Sequence, residues 1–320
     1  MQLNEKNLEL NKSQLVEIDC RHLFFLNKTP VDLFTFSSHL EPIKKKNDLL
    51  EKEFFLNLVK NGQTTILVNK HYRHLINESV FNEITSLGRR IAQFKPLEFS
   101  KKIVHFISIQ QLEILNTPLD EKLINNQMMA FKIWITFVKK LTTGQLQNVI
   151  KAIHQGPYDE HAKRNLLFAT LLYKLSANEN LFSEHYCFNL AISGLFSEIG
   201  ASLLSTQQRK NKAFNNTRVF KYSGLILSIK TNLPPQNIEM ITSAIENEEE
   251  SLVIGQETYY FVSSYFLCLQ VCSNKTFCLK KELGNLKNYL PKGHREEFKN
   301  FISRSMELFG WKQVLDHLTQ

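Results

Sequence analysis

Among side chains able to hold a metal or carry a proton, this 320-residue chain has ten histidines, five cysteines and one dense run of glutamates. No HExxH pair occurs, so the spacing that sets two imidazoles and a base on one helix face is missing. His71 and His74, in the run KHYRH, lie three apart on a presumed helix, with no third ligand close in sequence, and a surface helix is the simpler reading. His154, His161 and His185 fall in a later helical region, where they could approach one cavity or serve as ordinary hydrogen-bonded residues. Cys20, Cys187, Cys268, Cys272 and Cys278 contain no CxxC pair. Cys268 and Cys272 are four apart and share a helix face, but two or three thiols without a neighbouring histidine make a poor zinc set, so buried free cysteine is favoured. Glu198, Glu246, Glu248, Glu249 and Glu250 would suit magnesium or manganese if they converged, since hard cations take oxygen ligands. Consecutive carboxylates repel one another, however, and usually face water. Nothing marks a nucleophile elbow, and the leading region has neither a Gly-rich phosphate loop nor a cofactor motif.

The elements that must position these residues change in kind along the chain. LVEID (15–19), VDLFTFS (31–37) and TTILVN (64–69) are rich in Val, Ile, Phe and Thr and bounded by Asn, Pro or Gly, as strands are. Between the last two, 49–62 repeats apolar residues at helical spacing and stops at Gly62. A second helix is expected over 70–94 and an extra strand around 40–46, which together describe a small α+β domain over 1–98. From 99 to 320 the period is helical, with apolar faces in 100–115, 121–141, 144–155, 159–176, 184–204, 218–230, 236–247, 257–273 and 295–309, so this half is expected to be all-α. Thr142-Thr143-Gly144, Gly156-Pro157, Pro234-Pro235 and Pro291-Lys292-Gly293 fall between those helices. The polar, basic segment 205–217 (STQQRKNKAFNNT) lacks periodicity and reads as a surface loop.

A composition of 43% hydrophobic and 22% charged residues excludes a disordered or collagen-like chain. The net charge of +8 is spread over both halves without a basic tail, which disfavours nucleic acid as partner. A nucleotide or nucleic-acid binding module using Arg209, Lys210, Lys212, Arg218 and Lys221, interleaved with Phe220 and Tyr222, remains as an alternative. The run Tyr259–Cys272 is interrupted by Ser263, Ser264 and Gln270 and falls short of the roughly 20 residues that cross a bilayer, so it reads as a buried helix and no membrane insertion is expected. With unpaired cysteines and no apolar leader in MQLNEKNLEL, a cytoplasmic protein is expected. The many phenylalanines, Phe24-Phe25, Phe54-Phe55 and Phe196 among them, should fill core and leave at most one exposed patch for a partner.

A series of landmarks in the helical half resembles the HD-GYP family of bacterial cyclic-di-GMP phosphodiesterases with its chemistry removed. The run Ser193-Gly194-Leu195-Phe196-Ser197-Glu198-Ile199-Gly200-Ala201 is similar to the family's A-G-L-L-H-D-I-G-K. The apolar frame and Gly200 are retained, while Ser197-Glu198 replaces the metal-binding His-Asp pair and Ala201 replaces the lysine. Upstream, 158–175 resembles the helix that supplies the first family histidine, which places Arg164 or Asn165 at that position, with His161 three or four residues early. Downstream, Phe220-Lys221-Tyr222-Ser223-Gly224 resembles H-P-x-x-G, with Phe220 at the ligand. Ala244 to Glu250 is similar to A-I-x-x-H-H-E, with Glu248 and Glu249 at the paired histidines and Glu250 at the glutamate, and the Gly-Tyr-Pro signature that should follow is missing. Val271-Cys272-Ser273 puts Ser273 at the last aspartate of V-A-D. The related HDOD class, in which an HD-like bundle lacks its ligands and serves signalling, is the rival assignment.

The resemblance implies an all-α HD-like bundle behind the α+β domain, with no metal and no other cofactor. Hydrolysis in such a site needs metals that bind phosphate oxygens and supply hydroxide. Arg164 would bring positive charge to that cavity, Phe220 has no lone pair to offer, and Ser197 and Ser273 are weak ligands. Glu198 is then expected either to pair with Arg164 in the old cavity or to join the glutamates in an altered metal-dependent phosphodiesterase site. The favoured expectation is a non-catalytic signalling adaptor or regulator that binds another protein, with components of cyclic-nucleotide signalling as candidate partners.

Overall fold

The computed structural model describes residues 14–35, 42–93, 95–177, 182–204, 216–243, 256–273, 279–285 and 295–308. The chain divides into two compact units, 1–91 and 92–320. In the first, β1 (Leu15–Asp19) pairs antiparallel with β2 (Thr65–Asn69), Ile18 opposite Ile66 and Val16 opposite Val68. Ile18, Ile66 and Val68 are buried, so the pair keeps one apolar face inward. Both strands end in side-chain-capped 3-10 turns. Asp19 accepts from the Arg21 amide before 20–25, and Asn69 accepts from the His71 amide before 70–72. α1 (Lys52–Lys60) stops ahead of Gly62, whose φ of +68° is a left-handed conformation that glycine adopts at no steric cost.

Two strand expectations and one helix expectation are corrected here. In place of a strand over 31–37, Leu33 and Phe34 make isolated bridges, to Lys44 and Leu67 respectively, and residues 36–41 lie outside the described residues. The expected strand around 40–46 is reduced to that one bridge at Lys44, because the Asp32 side chain holds the Lys46 amide and Asp48 holds the Lys45 amide in a turn. The helix expected over 70–94 begins as the 70–72 turn and becomes α2 only over Arg73–Arg89, so His71 and His74 lie on different elements, both exposed.

The second unit is a bundle. α3 (Pro96–Asn116) opens with proline at its first turn, where the missing N–H costs nothing, and α4 (Glu121–Val138) is capped by Asp120. α5 (Thr143–Gln155) starts with a capping box between Thr142 and Gln145, and α7 (Glu184–Leu195) is capped by Ser183. Between them α6 (Glu160–Ala177) is buried nearly all round and packs on α3, α4, α5 and α7. Trp134 of α4 donates its indole N–H to Thr170 of α6 at 2.9 Å, which lets so large a side chain be fully buried. α8 (Asn216–Lys230) and α9 (Pro235–Ser243) pack together. α10 (Gln256–Ser273) lays Tyr259, Tyr260, Phe261, Leu267 and Cys268 into the core against α6. α11 (Leu279–Asn285), a short helix that the periodicity did not reveal, and α12 (Arg295–Leu308) complete the unit. Among the described residues no helix is long and apolar enough to cross a membrane.

The helix expected over 184–204 is broken. α7 ends at Leu195, and the chain resumes as a 3-10 turn over Ile199–Leu203. Gly200 explains the break: a Cβ there would meet the Val219 carbonyl oxygen of α8 at 2.1 Å, so the backbones touch only because glycine has no side chain. The Gly200 amide donates to Ser223 Oγ at 2.8 Å, and that hydroxyl donates on to Val219 O, fastening the turn to α8.

Candidate functional site

The break between α7 and the 3-10 turn presents Glu198 to two other elements, α6 and α10. Arg164, on α6, donates Nε to Glu198 Oε1 at 2.7 Å and Nη2 to Oε2 at 2.6 Å, a bidentate clamp on a carboxylate whose side chain is 5% exposed. Oε2 also accepts from His161 Nδ1 at 2.7 Å, and Oε1 accepts from the Tyr265 hydroxyl of α10 at 3.0 Å. With Nδ1–H donating to the carboxylate, the Arg164 Nη2 that lies 2.9 Å from the same nitrogen is a close neighbour and not a donor to the ring. His161 is the outermost member, its side chain 42% exposed against 13% for Arg164.

The electrostatics follow from burial against charge. Burial pushes the Glu198 carboxyl up, but the Arg164 charge and the hydrogen bonds from His161 and Arg164 together hold it well below the usual carboxylate range. The hydrogen bond to Glu198 raises His161 against the opposing effect of its own burial. Tyr265 is raised, first by burial and then by the neighbouring carboxylate, so its hydroxyl stays a donor. The Cys268 thiol is pushed up by burial, and Cys272 is raised to about 11, again chiefly by burial. Neither is a thiolate at neutral pH.

Phe220, the next position aligned with a ligand, is fully buried on α8 with its ring centroid 5.0 Å from Tyr265 and 6.3 Å from Phe261. Phe168 of α6 closes the same aromatic group, 5.5 Å from Tyr265. Ser197 is fully buried and spends its hydroxyl on the Gly194 carbonyl at 2.9 Å. Ala201 is buried in the 3-10 turn, and its amide donates to Glu198 O. Asn165 makes no hydrogen bond to Glu198, although it shares its cavity with His161. With Gln111, Leu195, Phe196 and Ile199 it lines a cavity of about 10 Å³, the room of a single water. Ser273 is the last residue of α10. Glu246, Glu248, Glu249 and Glu250 lie outside the described residues, as do Arg209, Lys210, Lys212 and Cys278.

Of the other histidines, His154 on α5 sets Nε2 3.0 Å from the Val271 carbonyl, and His185 pairs with Asn189 within α7. Only His161 of the three joins Glu198. Tyr265 went unnoticed in the sequence. Its signal was its place two helical turns before Ser273, hence on the same face of α10.

A metal pair of the kind the fold family carries does not fit these residues. Both oxygens of the Glu198 carboxylate are taken up by Arg164, His161 and Tyr265, the guanidinium is a fixed positive charge, and Phe220 ligates nothing. Among the described residues no group of three or more His, Cys, Asp or Glu is placed to hold a metal ion.

No protein-family model and no curated protein matches the chain. Among solved structures it is similar to Bd1817, an HDG"Y"P protein from Bdellovibrio bacteriovorus, with a TM-score of 0.62 at 10% sequence identity, over 90% of this chain and 98% of that one. The chain therefore has the HD-GYP fold, a small α+β region followed by an HD-like helical bundle.

Proposed function

We propose that this protein is a non-catalytic signalling adaptor or regulator that acts by binding another protein, a component of cyclic-nucleotide signalling being the leading class of partner. The observation that carries this reading is the clamp of Arg164 on Glu198 in the aligned HD position. A hydrolase of this fold must present open ligand positions to metals that bind phosphate oxygens and supply hydroxide. Here the carboxylate is committed to a guanidinium, whose charge it in turn neutralises. Phe220, Tyr265, Phe261 and Phe168 form a packed apolar wall beside the pair, which supports a structural role for this region.

The test is a turnover assay with cyclic-di-GMP and manganese or iron, run beside affinity capture from the native cell. The expected result is no linear dinucleotide and a specific protein partner. Metal-dependent turnover that disappears in Glu198→Ala would overturn the adaptor reading.

A further inference from the structure

The first unit holds a cavity of about 270 Å³ between residues 30–34, the turn at Lys46, the end of β2 and the start of α2. We propose that it binds a free α-amino acid with an apolar side chain. The site is built wholly from the first unit and does not depend on what the helical bundle binds. Its walls are fixed by hydrogen bonds. Phe34 exchanges both amide–carbonyl bonds with Leu67 of β2 at 2.8 Å. The buried Thr29 hydroxyl donates to the Val31 carbonyl, and the Asn47 amide donates to Thr29 O at 2.8 Å. The Lys46 amide donates to Asp32 Oδ1 at 2.6 Å, and Asn69 Oδ1 accepts from the His71 amide at 2.9 Å. A cavity held in this way loses little conformational freedom when it fills, which favours a small ligand.

The lining divides by polarity. Buried Val31 and Phe34, with half-buried Pro30 and Leu75, supply an apolar floor, and the 53% exposed Tyr72 adds an aromatic ring. Asp32 and Lys46, both exposed, are the charged residues of the lining. Neither charge is spent: Asp32 Oδ2 and Lys46 Nζ have no hydrogen bond or ion pair among the described residues, with each other or with a third group. With Oδ1 used in the cap, Asn69 has Nδ2 left as a donor. A carboxylate, an ammonium and an amide donor around an apolar floor match the three parts of an amino acid. The ligand's ammonium donates to Asp32, its carboxylate accepts from Lys46 and Asn69, and its side chain covers the floor. A monocarboxylate or a simple amine gains one of the two charge contacts and meets the other group as a like charge. A nucleotide brings several negative charges towards Asp32, and the volume lies below the roughly 300–1,000 Å³ common for larger ligands. A sugar leaves the apolar floor without a partner.

The experiment is isothermal titration calorimetry of the purified full chain with leucine, methionine and phenylalanine. Single-charge analogues, 4-methylpentanoic acid and 3-methylbutylamine, and the charged amino acids glutamate and lysine are run beside them. The expected result is saturable binding of one apolar amino acid per chain. Both single-charge analogues should bind at least about tenfold more weakly, the least expected from losing a hydrogen bond to a charged group. Asp32→Asn, which keeps an acceptor for the Lys46 amide, and Lys46→Met, which keeps that amide, should each weaken binding by a similar factor. An unchanged melting temperature of each ligand-free variant shows that the loss is at the site. Leu75→Trp, which fills the cavity from α2, should abolish binding. No saturable binding of any of the three apolar amino acids, equal binding of a single-charge analogue, tighter binding of glutamate or lysine, or affinity unchanged in both charge variants overturns the proposal. Each of these outcomes leaves the adaptor reading standing, which only metal-dependent turnover removes.

Discussion

Replacing Arg164 by methionine keeps most of the side-chain volume on α6 and removes the guanidinium charge that faces Glu198. The carboxylate it leaves behind is 5% exposed and retains only the His161 and Tyr265 hydrogen bonds. Removing one partner of a buried ion pair costs about 3–5 kcal/mol, because the remaining charge is stranded in a poorly solvated site. At roughly 2–4 °C per kcal/mol for a unit of this size, the melting temperature at pH 7 should fall by roughly 6–20 °C. Denaturant titration of the wild type, Arg164→Met, Glu198→Gln and the double variant measures the coupling directly. The double variant should recover at least half of the Arg164→Met loss, since neither residue then leaves a charge behind. The pH dependence supplies a second check. Without the guanidinium the buried carboxyl prefers its proton, so the gap between wild type and Arg164→Met should narrow as pH falls below the ordinary carboxylate value of 4.5. The sign is the same from the wild-type side: Glu198, held low when folded, contributes stability above 4.5 that is lost as pH falls below it toward the folded value. An Arg164→Met variant within about 1 kcal/mol of wild type, or a double variant no better than the single, would refute the reasoning.

Phe220→Ala should cost about 3–5 kcal/mol in a denaturant titration, the usual penalty for deleting a buried phenyl ring; a loss below about 1 kcal/mol would place the ring at a surface. His161, raised above its ordinary 6.5 by Glu198, contributes stability that is complete below 6.5 and lost as pH rises through its folded value. The unfolding midpoint of the wild type should accordingly decline above pH 6.5 relative to His161→Gln, and parallel profiles would show that this imidazole is not coupled to the cluster. Gly200→Ala should destabilise by at least about 1–3 kcal/mol, as overpacking does, because its Cβ meets backbone that cannot rotate away; a neutral result by thermal melting would mean that α8 can shift.

The parts of this fold legible in the sequence are those governed by local pattern. Helical periodicity located α3 to α6 and α8 to α10 within a few residues, because each buries a face against neighbours and that face repeats every three or four positions. The break inside 184–204 was not legible: the apolar pattern runs through it, and it is imposed by α8 approaching Gly200 from elsewhere in the chain. The strand expected at 31–37 failed for a related reason. Its residues have strand propensity, yet Leu33 and Phe34 are each held by a single rung to a different segment. At the site, alignment of the landmarks brought Arg164, Glu198 and Phe220 into one argument. Tyr265 enters only with the three-dimensional arrangement, and His161, noted near the first aligned histidine position, is brought onto Glu198 only by it, since nothing in the spacing says that α6, α10 and the 3-10 turn converge on one carboxylate.

The retained and the replaced residues of the HD-like frame divide by physical role. Gly194, Gly200 and Gly224 sit where an added methyl would meet α6, α8 and α9 at 2.1–2.7 Å; at Gly194 and Gly224 the atom met is a side-chain end, whereas at Gly200 it is backbone of α8, so there the approach requires glycine. Arg164, Ser197 and Phe220 sit where the frame asks only for volume and for satisfied polar atoms, and they supply them: a guanidinium neutralised by Glu198, a hydroxyl donated to the end of α7, a ring packed on Tyr265. An arginine at the aligned histidine position ties α6 to the 3-10 turn, and Tyr265 ties the same carboxylate to α10, so three elements are cross-linked through one buried carboxylate. Such a clamp suits a domain that must hold its shape to present a surface. α8 is fastened to this same turn through Gly200 and Ser223 and shares in that rigidity.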